Sequence, residues 1–113
     1  MELDIETALN LGSDEFYRSV RYKIDLTVIL INSNKKDAFN TLETNLRKSD
    51  IIQQLTSNTI IVFLSHTNLD NSALFIKKMK EKLDFTYTMD EYQNSEHTFL
   101  KKLFQKNSEI IFV

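Results

Sequence analysis

The sequence predicts an α+β domain. It has a ferredoxin-like βαββαβ core, an antiparallel or mixed sheet with helices packed on it, and an additional helix–strand (or strand) extension. Three observations lead there. Residues 24–31 become continuously apolar and β-branched after Leu26. Two further β-rich runs flank the polar connection Thr56, Ser57 and Asn58. Segments with helical period separate the apolar runs. Two crossovers around a hairpin place the helices on one face of the sheet, with the extra elements at an edge.

Each element follows in order. The unbroken run Val28 to Ile31 suits a central strand covered on both faces, and Asn32, Ser33 and Asn34 end it with turn chemistry. From Asp37 onward, Phe39, Leu42 and Leu46 form the stripe of a short helix. The runs 51–55 and 59–64 read as a hairpin without a turn glycine, and Asn58 is the residue best able to take a left-handed backbone there. Residues 69–83 place Leu69, Ala73, Ile76, Met79 and Leu83 on one helix face. Lys77, Lys78, Lys80 and Lys82 fall on the other face and in the last turns, where cations suit the helix dipole. Phe85, Tyr87 and Met89 alternate with Thr86 and Thr88 as a strand. Ser95 is placed to cap a helix carrying Phe99, Leu100, Leu103 and Phe104. Ile110 to Val113 reads as a closing strand. Residues 1–113 form one domain, in which 1–23 is a weakly patterned N-terminal segment.

Composition excludes several classes of function. The chain has one glycine, no proline and no cysteine, where roughly eight glycines and six prolines are average for this length. The absence of cysteine removes any disulfide framework or thiolate zinc site. The sole glycine, Gly12, lies apart from every apolar run, so no loop can wrap phosphates with two glycines. A formal charge of −2 provides no global basic field for nucleic acid or anionic lipid. No apolar run is long enough to span a bilayer, and the acidic start MELDIETALN has no signal-peptide pattern. A soluble cytoplasmic domain is expected.

Residues 47–64 (RKSDIIQQLTSNTIIVFL) resemble the centre of a GGDEF domain, the family of bacterial diguanylate cyclases and their inactive relatives. In that family a helix ends in Arg-x-x-Asp, a strand follows, and the GG(D/E)EF signature occupies the hairpin turn. Arg47 and Asp50 stand at the first pair, and Thr56, Ser57, Asn58, Thr59 and Ile60 stand where the signature would be. Leu69, Asp70, Ala73 and Lys77 fit the family's next helix. Upstream, Arg21-Tyr22 and the strand Leu26 to Ile31 resemble the segment that precedes an Asp-x-Asp pair, with Asn32 and Asn34 at the two aspartate positions. Asp4, Thr7, Leu9 and Asn10 are faintly similar to the family's opening motif. The stretch from Asn34 to Arg47 is much shorter than the family's, which implies loss of most substrate-side helices.

The resemblance implies a site that has lost its chemistry. A cyclase of this kind needs Mg²⁺ held by anionic oxygens. The implied ligand positions are Asn32 and Asn58 or Thr59, and none carries charge. Thr56 and Ser57 bring side chains to positions where paired glycines would let a nucleotide approach. No metal and no cofactor are therefore expected, and no catalysis. Arg47 and Asp50 match the identity and spacing of the family's inhibitory site for cyclic di-GMP. There an arginine fork grips guanine and phosphate while an aspartate accepts from guanine nitrogens. The same two residues would equally form a surface ion pair.

Other residues supply less. His66 and His97 stand isolated, without patterned partners. Ser65-His66 is not read as a nucleophile and base, because chain neighbours rarely point at each other and no glycine elbow is present. Asp14-Glu15-Phe16 spells the end of the signature at the wrong place. The lysine set Lys77, Lys78, Lys80 and Lys82 reads as a solvated helix face. Strand 59–64 carries only Phe63, without the glycine and aromatic pattern of an RNA-binding sheet. Three readings follow. The first is a non-catalytic, shortened GGDEF-like domain of a bacterial signalling protein, working by self-association or by docking to a receiver, sensor or phosphodiesterase module. The second is a cyclic di-GMP receptor using Arg47 and Asp50. The third is an unrelated ferredoxin-like interaction domain.

Overall fold

The computed structural model describes residues 2–111. Its elements run α1 (Glu2–Tyr22), β1 (Leu26–Asn32), α2 (Ala38–Thr44), β2 (Ile51–Gln54), β3 (Thr59–Ser65), α3 (Leu69–Lys80), β4 (Thr86–Glu91) and α4 (Glu96–Ile111). The four strands form one antiparallel sheet in the order β2-β3-β1-β4. This is the predicted βαββαβ core. The two central strands, β1 and β3, are the two most apolar runs, and every residue of both is buried except Asn32.

Register divides the core in two. Val28 opposes Phe63 and Leu30 opposes Ile61, while Ile29 opposes Val62 and Ile31 opposes Ile60. Because side chains alternate across a strand, the first set faces α1 and α4, where Ile5, Ala8, Phe16, Leu100, Leu103 and Phe104 pack. The second set faces α2 and α3 through Ala38, Leu42, Ile76 and Met79. Helices therefore cover both faces, which corrects the expectation of a single covered face. A sheet whose central strands are apolar on both sides has to be covered on both.

Three further expectations change. The weakly patterned N-terminal segment is a helix of 21 residues, and its buried stripe is Ile5, Ala8, Gly12, Glu15, Phe16 and Ser19. The period is helical, but small and polar residues fill four of these six places and hide the hydrophobic signal. Gly12, set apart in the sequence, is in fact a packing position. A Cβ there would lie 2.6 Å from Cζ of Phe63 and 3.1 Å from Cε2 of Phe16. The missing side chain lets α1 lie against the Phe63 ring.

The predicted closing strand does not form at its start. Ile110 and Ile111 belong to the last turn of α4, while Phe112 and Val113 lie outside the described residues. The Ile110 and Ile111 N–H groups bond back into the helix, so no sheet edge is needed to satisfy those donors. The face of α3 is also rotated. Ser72, Ile76 and Met79 are buried, whereas Leu69 and Ala73 are exposed. Asn68 caps this helix by accepting a hydrogen bond from the Asn71 N–H at 2.9 Å.

Candidate functional site

The hairpin turn between β2 and β3 forms without a left-handed residue. Positive φ among the non-glycine residues falls at Lys23, His66 and Ser95, not at Asn58. The Thr56 hydroxyl holds the turn instead, accepting from the N–H groups of Asn58 and Thr59 at 3.2 and 3.1 Å. The Leu55 and Thr56 N–H groups both donate to the Thr59 carbonyl. Ser33 N–H donates to the Asn58 carbonyl at 2.9 Å, tying the turn to the end of β1. Ser95 directly precedes α4 but has φ of 56°, unlike the extended backbone of an N-cap. Its carbonyl accepts the first helical bond, from Phe99 N–H.

Antiparallel register places Asn32 opposite Thr59, so two of the three implied ligand positions share one corner. A third residue fills that corner. Asn32 Nδ2 donates to Asn107 Oδ1 at 2.8 Å, and Asn107 Nδ2 donates back to Asn32 Oδ1 at 3.1 Å. Thr59 Oγ1 donates to Asn32 Oδ1, Thr88 Oγ1 donates to Asn107 Oδ1, and Asn32 Nδ2 also reaches Thr86 Oγ1, each at 3.2 Å. Amides and hydroxyls saturate one another here, and this donor set does not fit a divalent cation, which wants anionic oxygens facing an open position. Among the described residues, no cluster of three or more histidine, aspartate or glutamate side chains is arranged to hold a metal ion.

Beside the corner lies a depression of about 330 Å³ lined by Thr56, Asn58, Thr59, Asn107, Ser108, Phe104 and Asp4. Asp4 is the one charged side chain in that lining, and its sign opposes a phosphate. Asn107 was not singled out in the sequence. It is 4% exposed and follows Leu100, Leu103 and Phe104 at the next core-facing position of α4. A polar residue in that place was the available signal.

Arg47 and Asp50 do come together, on the loop between α2 and β2. Arg47 Nη2 meets Asp50 Oδ1 at 3.0 Å and Nε meets Oδ2 at 3.2 Å. The same carboxylate accepts from the N–H groups of Arg47 (2.9 Å) and Ser65 (3.1 Å). Arg47 Nη2 further reaches the Ser65 carbonyl and Thr67 Oγ1, and Thr27 Oγ1 donates to the Thr67 carbonyl. The pair therefore fastens its loop to the ends of β3 and β1. The Asp50 side chain is 2% exposed, with both oxygens engaged, while the Arg47 side chain remains 55% exposed.

Ser65 and His66 also meet, contrary to the expectation for chain neighbours. Ser65 Oγ lies 2.9 Å from His66 Nδ1, because the left-handed backbone of His66 turns its ring back. Ser65 is buried beneath the Arg47–Asp50 loop, whereas His66 and His97 are exposed. No helix among the described residues is long and apolar enough to cross a membrane.

No protein-family model matches the chain, and no curated protein matches it. Its fold does match a solved structure, the crystal structure of a DGC protein from Thermotoga maritima. The TM-score is 0.64 at 12% identity, over 92% of this chain and 91% of that one. This chain shares its fold with that DGC protein. At this identity the likeness concerns the path of the chain, and the residues of the site have to be read on their own chemistry.

Proposed function

We propose that this chain is a non-catalytic, shortened GGDEF-like domain that acts through protein–protein contact in a bacterial signalling protein. The observation that carries the reading is the Asn32–Asn107–Thr59 corner. The positions that the resemblance assigns to metal ligands hold neutral side chains, already bonded to each other and to the last helix. The hairpin supports it, since the Thr56 hydroxyl is built into the turn where the family has glycine. The test is incubation of the whole chain with GTP and Mg²⁺, followed by chromatography of the products. No conversion above the protein-free control is expected, and Mg²⁺-dependent formation of cyclic di-GMP would overturn the reading.

The half-exposed guanidinium of Arg47 favours a second reading, capture of cyclic di-GMP at Arg47 and Asp50. Asp50 would have to leave four donors to accept from a guanine, so binding would require this loop to open. Calorimetric titration separates the two readings. The first expects silence at high micromolar cyclic di-GMP. Saturable binding that is lost in both Arg47→Ala and the charge-preserving Arg47→Lys would establish the second.

A further inference from the structure

The outer face of α1 is uncovered over its C-terminal half. Tyr17 and Val20 are 61% and 55% exposed. With Ser13, Phe16, Arg21, and the Tyr92 and Glu96 side chains near the start of α4, they line a groove of about 540 Å³. Beneath it the Phe16 and Tyr92 rings pack at a tilt with centroids 4.6 Å apart and form the floor.

The charges on this face are ordered along the helix. Asp14 lies three residues before Tyr17 and Arg21 four residues after it, so all three share one side. Both charged residues are exposed, and neither enters an ion pair among the described residues. The Arg21 guanidinium sits 5.7 Å from the centre of the Tyr22 ring, at the end of the helix.

We propose that this face docks a second copy of the same chain, the two α1 helices crossing antiparallel about a two-fold axis at Tyr17. Asp14 of each copy then meets Arg21 of the other, and Tyr17 and Val20 enter the opposite groove. Glu96, on the far wall, adds a second anion toward the incoming Arg21. A parallel crossing would set like charges against each other, so the charge order selects the antiparallel arrangement, whose contacts are self-complementary. A face with two large apolar residues makes a small contact, with Kd of about 10⁻⁵ M or weaker. The inference rests on the self-association form of the proposed function and names its surface.

Sedimentation velocity of the whole chain at low salt, from micromolar to roughly 1 mM, tests it. The unmodified chain is expected to shift from monomer to dimer. Asp14→Arg and Arg21→Asp, both surface changes checked for native circular dichroism, are each expected to stay monomeric. An equimolar mixture of the two is expected to associate again, because both contacts between residues 14 and 21 then join opposite charges. An unmodified chain that stays monomeric, association indifferent to both substitutions, or a mixture that stays monomeric would each overturn the proposal. None of these outcomes touches the non-catalytic reading, which the GTP assay decides separately.

Discussion

Asn32, at the end of the first strand, and Asn107, on the last helix, hold each other through a reciprocal pair of amide hydrogen bonds at 2.8 and 3.1 Å. The pair closes the corner where the resemblance would put a metal and joins two ends of the fold that lie 75 residues apart. Asn107→Ala leaves the Asn32 amide and the Thr88 hydroxyl short of partners in a buried place. A loss of about 2–3 kcal/mol is expected, measured as a lower urea midpoint with an unchanged slope. Asn32→Asp by itself is expected to yield no GTP turnover, since Asn107 and Thr59 still fill the corner. Turnover in that variant would show that charge alone had been missing.

Arg47 and Asp50 are expected to behave as a fastening of the fold. Asp50→Ala strips the partner from two N–H groups and from the guanidinium, with a cost of about 3 kcal/mol. Arg47→Ala removes a half-exposed group and is expected to cost about 1–2 kcal/mol. Arg47→Lys recovers less than half of that, because an ammonium cannot reproduce the forked contact. Thermal unfolding of the three variants checks the order, and a neutral Asp50→Ala would refute it.

Gly12→Ala is expected to destabilise the protein by about 1–3 kcal/mol, despite alanine's better helix propensity, because the added methyl overlaps the Phe63 ring. The double variant Gly12→Ala with Phe63→Leu should be more stable than the sum of the two single changes predicts. Additive costs in denaturant titrations would mean that the contact between α1 and the ring does not set the spacing.

Tyr92 supplies a pH dependence. Burial, then the nearby Glu96 charge and the hydrogen bond to it, push the phenol up to about 12. The unfolded value is about 10. Between the two values the unfolded chain has released a proton that the folded chain retains, so stability falls as pH rises through that window. The contribution is present in full below about pH 10 and amounts to about 3 kcal/mol. In Tyr92→Phe the alkaline fall in stability should be shallower by that amount, and identical slopes in the two proteins would disprove the assignment.

The βαββαβ core and the central place of β1 were legible because β1 and β3 are the most apolar runs and the hairpin has a short polar connection. The Arg47–Asp50 contact was legible for the same local reason, as three-residue spacing brings the two side chains into reach. Asn107 was not legible as a partner for Asn32, since nothing in a linear pattern pairs two amides so far apart. The first helix was faint because close approach to the sheet selects Ala8, Gly12 and Ser19, which carry little hydrophobic signal. Ile110 and Ile111 read as strand by composition, yet they continue the hydrogen-bonding run of α4.

The sequence by itself determined the βαββαβ core, the neutral side chains at the hairpin and at the end of β1, and the single glycine of the chain. These depend on residue type and local period alone. Only the tertiary structure decided that helices cover both sheet faces, that Gly12 is a contact with Phe63, and that Asn107 fills the corner beside Asn32 and Thr59. Those outcomes depend on which side chains arrive together when distant segments pack, and the sole glycine acquires its meaning from the aromatic ring that folds against it.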